Sequence, residues 1–329
     1  MTVATATSVK QCVGHADFAA LRLALSQHWR SLDRAQAERL GAVAVSEGVA
    51  ALLYAHADQP SASADHWLKP AAQMLALREL AHQAALSTVS AQLLKHSIPC
   101  LLIKGEALAR SLYSTPAVRS RSDIDLWVDH QQLGPLQSIL CQLGYPAVKQ
   151  IVQHYARFEV VHGQATPYPI GFDLHVRPFF RPRLLDERPF AAVWQDASVL
   201  AELPGLRVPA ASDSFLIAAL HLARNPHKRW IWLYDIDQFC QREPAAVQRA
   251  GQQSVDWGYA ALVADALRRA EQVFGTTPPL PLPRAVRFEP SAQLLRPQSR
   301  LAALGRDLRL LPNWRARGQF LTELPARPR

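Results

Sequence analysis

Apolar positions along the chain change period twice. From about Ala16 to His96, Ala, Leu, Gln and Arg dominate at helical spacing, with a break at Gln59–Pro60–Ser61–Ala62–Ser63. Trp67 to His96 reads as one long amphipathic helix carrying Leu75, Leu77, Leu80, Ala84, Leu86, Leu93 and Leu94. The period then shortens. Ile98 to Ile103 is a brief apolar run closed by Lys104–Gly105, which predicts a buried strand, and Glu106 to Tyr113 predicts a short helix stopped before Pro116. Asp123 to Val128 alternates, with Ile124, Leu126 and Val128 on one face and Asp123, Asp125 and Trp127 on the other. Gln131 to Leu143 predicts a helix ended by Gly144, and Ile151 to Val161 one strand or two short ones. Pro169 to Val176 alternates again, Ile170, Phe172, Leu174 and Val176 against Gly171, Asp173 and His175. From Ser212 to Phe274 the helical period returns, enough for four helices, and the Pro- and Arg-rich remainder lacks sustained periodicity, as a draped or unstructured tail would.

The expected fold class is α+β: a small mixed sheet flanked by helices. The divisions are an N-terminal helical region over 1–96, an α/β core over 97–210, a C-terminal helical region over 211–275 and a basic tail over 276–329. A chain of 329 residues buries a sizeable core, and 49% hydrophobic with 19% charged residues is ordinary for a soluble globular protein. No run of about 18 uncharged apolar residues occurs, and Met1 to Lys10 lacks a basic segment followed by an apolar core, so neither a membrane span nor a secretory signal is expected. Cys12, Cys100, Cys141 and Cys240 are scattered without metal-ligand spacing, which points to packed thiols in a reduced cytoplasm. The net charge of +9 is concentrated: ten arginines, no lysine and three acidic residues between Thr276 and Arg329 carry +7 of it. A basic groove across the whole molecule is not implied, nor is nucleic acid as a partner.

Candidate chemistry lies in the alternating strands. Two aspartates at i and i+2 on a strand present both carboxylates on one face, about 6–7 Å apart along the backbone, and flexible side chains can converge on divalent cations about 3.5–4 Å apart. Asp123 and Asp125 meet that requirement, and Asp173 on a similarly patterned strand is suited to be the third carboxylate. His175 shares the face of Asp173, either to touch a ligand or to be oriented by its neighbour. His221 reads as a core histidine, Asp235 as a half-buried residue paired with Arg or His beneath the site, and Arg121 as an exposed loop residue. Trp230, Trp232 and Tyr234 read as core.

The run Leu102–Ile103–Lys104–Gly105–Glu106–Ala107–Leu108, then Arg119 to Val128 (RSRSDIDLWV), Leu143–Gly144–Tyr145, Phe172–Asp173–Leu174–His175 and later Trp230 to Ile236 (WIWLYDI) with His221 resemble the uncharacterised nucleotidyltransferase family, a bacterial branch of the DNA polymerase beta superfamily. The resemblance covers about residues 75 to 240. It implies transfer of a nucleoside monophosphate from an NTP, expected to be ATP, with two Mg²⁺ ions held by Asp123, Asp125 and Asp173, the last also helping to deprotonate the acceptor. Gly105 would let the backbone approach the phosphates. Most of the superfamily has Gly-Ser where this chain has Lys104–Gly105, so Lys104 either supplies a point charge to the phosphates or is a strand-end lysine with its head in solvent. Arg119 either binds triphosphate or balances Asp123 or Asp125. Val176 stands where the family usually has Trp.

The leading expectation is an active enzyme acting on a hydroxyl of a small molecule, sugar or modified peptide, with the nucleotide between the sheet and the C-terminal helices. The alternatives are an inactive nucleotide- or partner-binding module of the same fold, and a protein nucleotidylyltransferase that docks its partner through the basic tail.

Overall fold

A computed structural model describes residues 34–55, 62–164, 168–179, 184–225, 228–279, 281, 289–296 and 299–324. The helical reading of 16–33, the Gln59–Ser61 break and Cys12 lie outside them. The chain opens with α1 (Arg34–Glu47), α2 (Ala50–Ala55) and α3 (Ala62–Lys95), the last a single 34-residue helix. Then come β1 (Cys100–Ile103), α4 (Lys104–Ser111), β2 (Ile124–Val128), α5 (Leu133–Gln142), β3 (Ala147–Val152), β4 (Phe158–Gln164) and β5 (Ile170–His175). After α6 (Phe190–Asp196), a hairpin of β6 (Ser198–Leu200) and β7 (Leu203–Val208) completes the sheet. Four helices follow, α7 (Ala211–Arg224), α8 (Trp230–Arg242), α9 (Pro244–Asp256) and α10 (Ala260–Phe274), as their periodicity predicts. This is the expected α+β arrangement.

The seven strands lie in the order β3-β4-β5-β2-β1-β7-β6. β2 is antiparallel to β1 and parallel to β5, in the register Ile124 to Phe172, Asp125 to Asp173, Leu126 to Leu174 and Trp127 to His175. The sheet is covered on both faces, which is why β1 reads as continuously apolar. Cys100 and Leu102 join Ile124, Leu126, Val128, Phe172 and Leu174 against α3 and α5. Leu101, Ile103 and Trp127 face the other way into the larger core built by α7 to α10. At β7 the first layer is so close that a Cβ on Gly205 would come within 2.0 Å of the Ser90 carbonyl oxygen, and Ser90 Oγ accepts the Gly205 N–H at 2.8 Å. Among the described residues no helix is long and apolar enough to cross a membrane.

The tail departs from its reading. A 3-10 turn at Pro290–Leu295 leads into α11 (Arg300–Arg309) and α12 (Trp314–Glu323), capped by Ser299 and Asn313. Leu311, Ala316 and Phe320 bury against Ala156 and Tyr155 in the β3–β4 connection. The Glu323 carboxylate accepts from the backbone N–H groups of His154, Tyr155 and Ala156. Tertiary docking stabilises helices too short to announce themselves by periodicity. At the other boundary, α5 begins at Leu133 because Asp129 first caps a 3-10 turn over His130–Gln132.

Candidate active site

Parallel pairing sets Asp125 and Asp173 side by side, on the sheet face that bears Trp127 and is turned toward the C-terminal helices. His175 follows two residues later on the same face. Its Nε2 lies 2.8 Å from Asp125 Oδ1 and 3.3 Å from Asp173 Oδ2. Lys104, where β1 turns into α4, donates from Nζ to the same Asp125 oxygen at 2.6 Å. Ligand atoms of Asp125, Asp173 and His175 all lie within 4.8 Å of one another. Asp123, just ahead of β2, is outside that group; it is exposed at the mouth of the neighbouring cleft and accepts from Ser122 Oγ at 3.2 Å. Two carboxylates and an imidazole converge there, donors that fit a divalent cation, although the Lys104 ammonium sits on Asp125 and would have to leave that oxygen to a metal.

Charges in this corner are strongly coupled. Burial alone would raise Asp125, but the Lys104 ammonium and the His175 hydrogen bond outweigh it and hold the carboxyl well below its usual range. Desolvation, then the Asp125 charge, moves Asp123 the other way. Burial and Lys104 push His175 down, yet its bonds to Asp125 and Asp173 leave it above its ordinary value. The histidine is thus oriented by the two carboxylates.

Beside this corner a cleft of about 160 Å³ lies between the 119–123 loop and α7 and α8, lined among others by Lys104, Gly105, Asp123, His221, Arg229 and Trp232. A Cβ on Gly105 would come within 2.5 Å of an Arg119 guanidinium nitrogen, so the glycine makes room for an arginine here. Arg119 does not balance Asp123 or Asp125. Its Nε and Nη2 donate to the two oxygens of Asp235 at 3.2 and 2.7 Å, and Tyr113 OH donates to the same carboxylate at 2.6 Å. That buried triangle ties the loop to α8, and Asp235 is the supporting residue its sequence setting implied. His221 is a wall residue rather than a core one: partly exposed, edge-on to Trp232, and held to about 3 by burial and by the Lys104 charge, so it is neutral. Trp230 is core, whereas Trp232 and Tyr234 are only partly buried.

Arg121 corrects its reading as an exposed loop residue. It is buried and donates to Glu106 and Glu79, and also to the carbonyls of Pro116 and Arg119 at 2.8 and 3.0 Å. Glu106, fully buried, also holds Arg110 at 2.8 Å and His82 Nδ1 at 2.9 Å. The cluster pins the loop that delivers Asp123. A charged residue inside an apolar run (Glu106 before Ala107–Leu108) was the available signal; its partners on α3 were not visible locally.

No curated protein matches the chain. Two solved structures of the antibiotic-resistance factor ANT(2'')-Ia are similar at 15% identity. Its solution structure is covered over 95% of its length by 56% of this chain, with a TM-score of 0.39. Its crystal structure in complex with adenylyl-2''-tobramycin is covered over 98% by 57% of this chain, with a TM-score of 0.36. Residues 33–275 match the family model described as uncharacterised nucleotidyltransferase, so the chain belongs to that family.

Proposed function

We propose that the protein transfers a nucleoside monophosphate from an NTP, ATP being the expected donor, to a hydroxyl of a small-molecule acceptor in a Mg²⁺-dependent reaction. The observation that carries this reading is the in-register pair of buried Asp125 and half-buried Asp173 beside a cleft that is roofed by α7 and α8. Asp123, Asp125 and Asp173 would hold Mg²⁺, which when bound supplies charge neutralisation at the phosphates. The chain's own groups have separate tasks. The Asp173 carboxylate, more open than Asp125, accepts the acceptor's proton, and His175 fixes its orientation. The acceptor oxygen forms a bond to the α-phosphorus as the bond to the bridging oxygen breaks, and pyrophosphate leaves with that electron pair. Lys104 moves from Asp125 to the β- or γ-phosphate as a point charge. Neutral His221 and Trp232 offer an aromatic wall to the base. Free, buried Cys100 and Cys240, the latter thiol pushed up to about 12 by burial, agree with a reduced cytoplasmic setting.

An inactive binding module would be expected to lack the third carboxylate, and Asp173 opposite Asp125 speaks against that reading. The test is Mg²⁺-dependent binding of the four NTPs, with pyrophosphate release, in wild type, Asp125→Ala and Asp173→Ala. Wild type should bind ATP only with Mg²⁺; Asp125→Ala should abolish this, and Asp173→Ala should reduce pyrophosphate release by at least about 10²-fold, the scale of a lost general base. Metal-independent binding, or unchanged release in both variants, would overturn the reading.

A further inference from the structure

A second cavity, of about 450 Å³, lies between the end of α7, α10 and the tail. Its walls carry five cationic side chains, Arg224, Lys228, Arg269, Arg296 and Arg306, and no acidic one. Three have partners. Lys228 caps α7 by donating to the carbonyls of Leu222, Ala223 and Asn225, Arg269 pairs with Asp265 at 2.7 Å, and Arg306 with Asp307 at 2.6 Å. Arg224 and Arg296, both exposed to solvent at the open side of the cavity wall, have no hydrogen bond or ion pair among the described residues. Two unpaired guanidinium groups facing one cavity favour an anion over any neutral or cationic occupant, because each can donate two charge-assisted hydrogen bonds to a phosphate or carboxylate.

The cavity adjoins the cleft through the end of α7. His221, in the wall of the nucleotide cleft, and Asn225, which caps the end of α7 in the wall of the basic cavity, are four residues apart, about 6 Å of helix rise. Asn225 Nδ2 donates to the His221 carbonyl at 2.8 Å and lies 3.3 Å from its Nε2. Burial lowers Arg224, and the nearby carboxylates of Asp307 and, more weakly, Asp173 act against it. Leu294, Leu295, Arg296, Ala303 and Arg306 come from beyond the family-matched residues 33–275, so half of this wall is particular to the chain's own tail.

We propose that this cavity binds the acceptor, and that the acceptor is a small hydroxylated molecule bearing a phosphate or carboxylate group. The inference rests on the nucleotidyl-transfer reading, with the anion seated on Arg224 and Arg296 and the hydroxyl directed to Asp173. A cavity of this size suits a sugar phosphate or hydroxy acid.

The test uses the full chain, inorganic phosphate as probe and calorimetry at low ionic strength, where an anion in an open cavity is least screened. Wild type is compared with the double variants Arg224→Ala/Arg296→Ala and Arg224→Lys/Arg296→Lys, and each is separately titrated with Mg²⁺-ATP. The alanine pair should weaken phosphate binding about tenfold or more, the lysine pair should retain part of it, and both should keep their ATP affinity. Pyrophosphate release from ATP should be stimulated by phosphorylated sugars and not by the same sugars without phosphate. Unchanged phosphate binding in the alanine pair, or competition between phosphate and ATP in wild type, would overturn the proposal, the second by assigning the cavity to the donor's triphosphate. Loss of phosphate binding in a protein that never binds Mg²⁺-ATP would overturn the transferase reading, and the acceptor role with it, and leave an anion site.

Discussion

Lys104 holds a left-handed backbone at φ 52°, a conformation that costs a non-glycine residue about 1–2 kcal/mol. In this position its ammonium reaches Asp125 across the β1–β2 pair. Most of the superfamily, as the sequence resemblance has it, places glycine here, which adopts such a backbone without penalty. The chain therefore trades conformational ease for a positive charge in a carboxylate corner. Lys104→Gly relieves the backbone strain but leaves buried Asp125 without its ammonium, so it should lower thermal stability, while weakening Mg²⁺-ATP binding by about tenfold, the worth of one charge-assisted contact. Thermal unfolding and ATP titration check the two halves independently; full ATP affinity in Lys104→Gly would limit the lysine to balancing Asp125. That Asp125, Asp173 and His175 share one face was legible because alternation on a strand fixes which face each side chain takes, whereas Asp123 lies just ahead of the strand and outside that group. Arg121 was not. Its carboxylate partners lie 15 and 42 residues earlier in the chain, and a bond at that separation leaves no trace in local pattern.

Among elements, the long α3 and short α4 are joined through Glu106 and its partners more than through apolar contact. Burial would raise the Glu106 carboxyl, but His82 and Arg121 outweigh it and hold it at about 2, against an ordinary value of 4.5. A carboxyl depressed on folding stabilises above its unfolded value and loses that contribution as pH falls. Glu106 should thus supply about 3 kcal/mol at neutral pH that disappears between about pH 4.5 and 2. Glu106→Gln should lower stability at pH 7 by at least that amount, since Arg121 is left buried without its carboxylate, and should flatten the acid limb of a denaturation profile. An acid limb identical to wild type would place the acid sensitivity elsewhere. Helix-favouring composition made α3 legible, although Leu77, Leu80 and Leu94, read on its apolar face, are exposed, and periodicity made α5 and the four helices over 211–274 legible. α11 and α12 escaped because arginine interrupts their apolar positions and α12 is fixed by contacts with residues 154–156.

For the molecule as a whole, the tail has a structural task that its charge concealed. Phe320 is buried in a small cluster separate from the two main cores, so its loss should release α11 and α12 without unfolding the sheet. Phe320→Ala should cost about 3 kcal/mol locally. Hydrogen exchange should show faster amides over 300–323 with β2 still protected, and uniform acceleration through β2 would mean that the tail belongs to the global folding unit. Part of the tail's charge is internal, since Arg306 is buried and paired with Asp307, while Arg296 lines the same cavity from an exposed position.

The position of that wall has a historical consequence. Residues that hold the carboxylate corner belong to the shared family segment, while half of those that line the basic cavity come from the chain after it. The tail can be exchanged, lengthened or recharged by mutation while the strands bearing Asp125 and Asp173 stay constant. Lineages built this way can diversify what they act upon at the rate of a peripheral segment, with reaction chemistry held under the slower clock of a buried sheet.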